Sequence, residues 1–249
     1  MVLLLASWFG YQLFPYVPVI DLHKYWNAVK PAISAATLSR LDLYRHAVIW
    51  LTIALTLEAL FGAARSRLAI LLLVPSVVFA RILIIGTVLS ASEIVGGALA
   101  VLVWVALLSE LQVRAVLVAV AFAGVVVIRN LQPFQFSATA RAFGWVPFLS
   151  LMEGSLEVGI PSFFEKVFTY GSLIWLMNRA GCPLSIATVL GGTLVLCLGL
   201  AQVNVPGQSA EITDLVVLLI LAAVMKLMAE DERDQSRGGA IEPSRLYRL

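Results

Sequence analysis

Eight apolar runs, most of them close to bilayer-spanning length, set what this chain can become. A hydrocarbon layer about 30 Å thick takes roughly 20 apolar residues as a helix. Residues 43–61, 68–89, 94–108, 113–128, 163–177, 184–203 and 212–228 approach that length, and a shorter run fills 1–14. Of 249 residues, 61% are hydrophobic and 13% charged, with a mean hydropathy of +0.96. A soluble core of this size does not need that much apolar surface. The fold class that follows is all-α, a polytopic membrane protein of about eight transmembrane helices. Continuous Leu, Val, Ala and Ile runs lack the alternation of barrel strands, which excludes a β-barrel. A net charge of +2 with no dense Lys/Arg run sets nucleic acid aside as a partner.

The first run has neither a basic start nor a small-residue cleavage site before Pro15 and Pro18, so it reads as a short helix rather than a signal peptide. The runs fall into two sets of four, and a mixed stretch, 21–42 or 129–161, follows the first run of each. Residues 1–112 form an N-terminal four-helix half and 113–228 a C-terminal one. Residues 229–249 (beginning AEDERDQSRGG) read as a charged, disordered cytoplasmic tail. The mixed stretches resemble each other: LFPYVPVIDLHKYW and LQPFQFSATARAFGW stand about 118 residues apart, and at the same offset SASEIVGG meets QSAEITDL. Identities are few. Four helices per unit would make the halves parallel repeats about an axis along the membrane normal. The same offset leaves the first helix about five residues shorter than its counterpart, as a native start further upstream would explain.

Cationic residues in short loops give the orientation. Arg65, Arg67, Arg114, Arg179 and Lys226 share one side if both termini are cytoplasmic. The protein then sits in the inner (plasma) membrane, with both mixed stretches, 90–93 and 204–211 facing outward. Cys182 and Cys197, if on one helix, stand about 20 Å apart, beyond disulfide reach, and say little of redox compartment.

The most informative polar segment is QVNVPGQSAEITDLVVLL at 202–219. Pro206-Gly207 turns the chain, Ser209 and Glu211 suit a helix start, and Asp214 stands a turn inside the last apolar run. A carboxylate in hydrocarbon costs on the order of a few kcal/mol, so Asp214 is expected to face the bundle and find a partner. The pattern Gln-x-x-x-Pro-Gly followed by Asp before a final apolar helix, with WVPF at 145–148 and FFEKVFTYGSLIWL at 163–176 ahead of it, resembles the VanZ-like family. These are membrane proteins of the cell envelope, named for a teicoplanin-resistance protein. The resemblance covers roughly residues 130–228. Gln202, Gly207 and Asp214 match it; Gly199 and Gln208 stand where the family has glutamate and arginine. It implies a fold and an envelope association rather than a reaction.

Arg81 lies deep in the third run and needs a partner or a route to the headgroups. Asp214 or Glu93 would serve, and an Arg81–Asp214 pair would join the halves. Gln202, Gly207, Asp214 and Arg81 are thus the candidate polar cluster. Glu58 is expected to pair with Arg65 or Arg67 at the inner face. Trp26, Phe134, Phe136, Phe143, Trp145 and Phe148 read as an interfacial belt. A second possibility is an outward cavity lined by Asn130, Gln132, Gln135 and Lys166. Lys24, Arg141, Trp145 and Lys166 are the candidate outer-face lipid contacts. His23 and His46 lack the companions a metal needs, so no metal and no cofactor are expected. Gly96-Gly97 and Gly191-Gly192 suit close helix contact. No Walker, HExxH or GxSxG motif is present, so the catalytic residues are unknown and an enzyme has no motif to support it. Three functions fit: action at the outer leaflet on a surface lipid or glycan, transport or flipping of a lipid or small solute, and a non-catalytic scaffold. Membrane lipids are the expected partners, with a lipid-linked envelope precursor as a further candidate.

Overall fold

A computed structural model describes residues 1–18, 21–34, 38–84, 88–137, 141–208 and 210–238. Its α-helices are α1 (Val2–Gln12), α2 (Leu22–Ser34), α3 (Arg40–Phe61), α4 (Ala63–Leu83), α5 (Ala91–Ala106), α6 (Arg114–Leu131), α7 (Leu149–Glu153), α8 (Leu156–Arg179), α9 (Leu184–Gln202) and α10 (Thr213–Gly238). A 3-10 turn, Leu108–Glu110, follows α5. Among the described residues no strand forms beyond the isolated bridges Pro18–Ile84 and Gly144–Glu211.

Each apolar run has become a helix. Five are long and apolar enough to cross a membrane: α3, α4, α5 with its 3-10 turn, α6 and α9. Helix α1 is apolar but only 11 residues long. Helices α8 and α10 carry Glu165, Lys166 and Asp214 within their length. Helix α10 continues to Gly238, so residues 229–238 are helical rather than a loose end. Lys226 and Glu230, one turn apart, support that extension. Ser209 and residues 239–249, read above as part of a helix start and as tail, lie outside the described residues.

Side-chain caps fix two helix starts: Ser39 accepts from the Asp42 amide and Ser90 from the Glu93 amide. Gly62, at φ 81°, lets α3 turn directly into α4. Helices α3 and α8 form the centre. Every residue of α8 over 167–176 is buried, as is every residue of α3 over 52–57. A helix buried all round is surrounded by others. Helix α3 packs on α4, α5 and α6; α8 packs on α1, α6, α9 and α10. Helix α4 buries only Ser66, Ile70 and Val77, which leaves most of its apolar surface for lipid. It runs unbroken through Pro75, as α9 does through Gly191-Gly192. The Phe14–Pro15 and Gln132–Pro133 bonds are cis, and the next residues, Tyr16 and Phe134, both have φ 61°.

Candidate functional site

Ion pairs mark one end of the bundle. Arg114 at the start of α6 meets Glu58 near the end of α3 at 2.5 Å, and Arg67 near the start of α4 pairs with Glu110. Glu58 therefore takes Arg114, not the expected Arg65 or Arg67, because α6 packs on α3 and brings its first turn to the carboxylate. Arg179 ends α8 on the α8–α9 hairpin. A groove joins Asn178 and Pro183 of that hairpin to Met1 and to Lys226 of α10.

The opposite end holds the polar side chains. Asp214, in the first turn of α10, meets the Lys166 ammonium at 2.5 Å and the Tyr170 hydroxyl at 2.5 Å. Lys166 and Tyr170 are four residues apart and so share one face of α8. The ion pair is largely sequestered, with side-chain exposures of 20% and 15%. Asp214 therefore faces the bundle with partners, and Lys166 is drawn inward to it rather than left for lipid headgroups. Asp214→Asn keeps an oxygen for Tyr170 but loses the charge opposite Lys166. It is expected to cost about 1.5–3 kcal/mol, the range for a hydrogen bond to a charged group, measurable as a lower melting temperature in detergent; unchanged melting would mean that this pair does not hold α8 to α10.

Gln202, buried at the end of α9, donates to Asn130 Oδ1 at 2.8 Å and to the Asn130 carbonyl at 3.2 Å. Gln208 donates to the Gln132 carbonyl at 3.0 Å, and Gly207 turns the chain at φ 83°. Two loops strap together here. The Gly144 amide donates to Ala210, Ile212 returns a bond to Gly144, and the Phe148 amide donates to Thr213 Oγ1. The WVPF segment and the segment carrying Asp214, distant in sequence, are neighbours. At Gly199 an added Cβ would stand 3.6 Å from the Phe143 ring, so an aromatic ring occupies the neighbourhood where the family pattern has its glutamate.

Arg81 belongs to a different network. In the last turn of α4 it pairs with Glu93 at the start of α5, and Gln12 of α1 donates to the same carboxylate oxygen at 3.0 Å. Asp214 is not its partner: both its acidic neighbour and its helix pair belong to the first half. Ser90 sets Glu93 in the first turn of α5, and the α4–α5 packing brings it to Arg81. Arg81 thus stands apart from the Gln202, Gly207 and Asp214 group, which itself divides into a Gln202–Asn130 contact, a turn and an Asp214–Lys166–Tyr170 triad.

Around Arg81 opens a cavity of about 320 Å³, whose walls come from α1, α3, α4, α5, α6 and α8. Arg45, Arg81 and Arg129 line it with Glu93 and Glu165, above Trp8, Trp50, Phe122 and Phe168. Arg129 meets Glu165 at 2.7 Å and donates to Thr169 at 3.1 Å; Arg45 meets Asp42 at 3.2 Å. Tyr11 also lines the wall. The alternative of an outward cavity along Asn130, Gln132, Gln135 and Lys166 does not match this one: Asn130 meets Gln202, the Gln132 carbonyl meets Gln208, and Lys166 meets Asp214. Arg45, Arg129, Glu165 and Gln12 lie far apart in the sequence, and no local pattern gathers them around one space.

Of the surface candidates, Lys24 is exposed on α2, and Arg141 is exposed on the strapped loop, where its amide donates to the Val203 carbonyl. Trp145 is 70% exposed and its neighbour Phe143 packs edge-on against it. Lys24, Arg141 and Lys166 sit on three different elements. Among the described residues no group of three His, Cys, Asp or Glu side chains is gathered as a metal site would need. No family model, curated protein or solved structure matches the chain.

Proposed function

We propose that this chain is a multi-pass protein of the plasma membrane, of VanZ-like type, that engages the polar part of a surface lipid or glycan from the outer leaflet. The observation that carries this reading is the cavity with its three arginines and two carboxylates. It lies among the helix ends opposite the Glu58–Arg114 and Arg67–Glu110 pairs. With the cationic loops cytoplasmic, as the positive-inside rule asks, the cavity opens outward at headgroup level. Charged groups at that depth in a bundle are costly unless they pair or serve a ligand.

The VanZ-like reading draws on the meeting of the WVPF segment with the loop before Asp214, and on inward partners for both Gln202 and Asp214. Eight spans in two parallel repeats are part of the same reading. At an offset of about 118 residues, α1 to α5 fall in order on α6 to α10. Helix α1 packs on α8 while α6 packs on α3, the exchange that a two-fold relation between halves requires. The two central helices, α3 and α8, correspond.

A second reading is favoured by one feature: the cavity lies between the halves, with α1, α3, α4 and α5 on one side and α6 and α8 on the other. That is where a flippase or small-solute transporter would hold its cargo. The unbroken courses of α4 and α9 weigh against it, since carriers of that kind bind at interrupted helices. A scaffold without a ligand leaves the cavity without a role.

The outward placement is tested with a membrane-impermeant maleimide on cells expressing a chain whose Cys182 and Cys197 are replaced by serine. Lys24→Cys is expected to label in intact cells and Arg179→Cys only after permeabilisation. The reverse pattern would put the cavity in the cytosol and end this reading.

A further inference from the structure

We infer that the cavity takes a phosphate group carried on an amphiphile, held by Arg45 of α3 and Arg129 of α6 with the Trp8 indole N–H of α1 as a further donor. This rests on the outward reading of the cavity and adds the chemistry of its ligand. Three observations converge on it.

First, the arginines have donors to spare. A guanidinium offers five N–H groups. Arg129 spends two on Glu165 and Thr169, and among the described residues Arg45 pairs with Asp42 alone. Arg81, by contrast, is committed to Glu93 at side-chain exposures of 16% and 5%, so it is a positioning residue for the α4–α5 wall. Second, Trp8 lines the cavity at 1% exposure, and its Nε1 donor is buried without an acceptor among the described residues. A buried donor left unmade is unfavourable, and a ligand oxygen would remove that cost. Third, the charge and shape suit phosphate. Three arginines and two carboxylates line the space, and the third carboxylate, Asp42, meets Arg45 from outside that lining. Arg45, Arg129 and Trp8 approach from three helices. Tetrahedral phosphate oxygens accept from several directions, whereas one arginine fork satisfies a planar carboxylate. The rings of Trp50, Phe122 and Phe168 beneath the rim supply an apolar wall for the remainder of the ligand.

The full chain is purified in dodecyl maltoside, which carries no phosphate, and tryptophan emission and melting temperature are followed during titration. The probes are inorganic phosphate, phosphatidic acid and oleate. Phosphatidic acid is expected to shift the emission and raise the melting temperature saturably. Arg45→Gln and Arg129→Gln should each weaken its apparent affinity about tenfold, and Lys226→Gln at the other end should match the parent chain. Arg129→Lys keeps a cation beside Glu165 without the fork; it should melt like the parent yet bind more weakly, which separates binding from folding. Trp8→Phe should lose most of the emission shift. A saturable response to inorganic phosphate as well assigns the site to the free anion, and a response to phosphatidic acid alone assigns it to a lipid headgroup. An equal, arginine-dependent response to oleate overturns the phosphate assignment while leaving the outward cavity intact. No response to any probe, or one that ignores Arg45 and Arg129, also overturns it. Maleimide labelling from the cytosolic side sinks both readings.

Discussion

Arg81→Ala is expected to lower the stability of the folded bundle by about 3–5 kcal/mol, the range for removing one member of a buried ion pair. The size comes from what stays behind. Glu93 is 5% exposed, sits in the first turn of α5 and would keep, among the described residues, only Gln12 as a side-chain donor. The Ser90 cap and the positive end of the α5 dipole soften the loss without replacing a guanidinium. Arg81→Ala with Glu93→Gln removes both charges, leaves Gln12 an amide oxygen to meet, and is expected to be clearly more stable than Arg81→Ala alone. Combination with Asp214→Asn tests independence. Asp214 is satisfied by Lys166 and Tyr170 of α8, so the two losses should add within about 0.5 kcal/mol. Both cycles are read from unfolding in mixed micelles. Equal losses for Arg81→Ala and the Arg81–Glu93 double variant would deny that the pair is coupled, and strong non-additivity with Asp214 would restore a bridge between the halves.

The contrast between Asp214 and Arg81 marks how far a sequence of this kind can be read. That Asp214 needs a partner follows from the expense of a carboxylate in hydrocarbon, and it has two. Which partners they are depends on α8 lying beside α10, a packing fact that no local pattern carries. The spacing of Lys166 and Tyr170 on one helical face was a usable signal. Lys166 instead reads as a headgroup contact when its helix is taken to face lipid. Helix α8 misleads in the same way, because Glu165 and Lys166 lower its hydropathy although 167–176 form the most enclosed stretch of the bundle. Apolarity along a segment reports whether lipid tolerates it, not how many neighbours surround it. The helices themselves were legible for a complementary reason. Backbone polar groups in a bilayer must be satisfied within each segment, so long apolar runs have one outcome.

The cavity was harder to read. Its polar residues come from six helices, and each resembles an interfacial side chain when considered alone. Arg129 directly follows an apolar run and Gln12 lies within a short one, so neither announces a partner. Only the crossing of α1 onto α8 and of α6 onto α3 brings Gln12, Arg45, Arg81, Arg129 and Glu165 around one space.

Gly96→Leu is expected to be the most damaging substitution of a small residue, while Gly191→Ala is expected to be nearly silent. Both glycines belong to pairs that read equally well as close-contact patches. At Gly96 an added Cβ would lie 2.8 Å from His46 Cβ, 3.2 Å from the Ala47 amide nitrogen and 3.2 Å from the Leu43 carbonyl oxygen. Two of those atoms are backbone of α3 and the third is a side-chain root, so none can swing aside. Any side chain at 96 must separate α5 from α3. At Gly191 the nearest atoms are the tips of Leu218, Leu173 and Ile174 at 3.5–4.0 Å, which is ordinary contact. Overpacking a close-packed site typically costs about 1–3 kcal/mol, and a branched chain against immobile backbone belongs at or above the top of that range. The consequence reaches the cavity, because His46 and Arg45 ride on the displaced turn of α3 and Glu93 lies one turn before Gly96. Gly96→Leu should therefore lower the melting temperature and also weaken the phosphatidic acid response, whereas Gly191→Ala should leave both within error of the parent. If Gly96→Leu melts normally, α3 and α5 do not approach as closely as this packing requires.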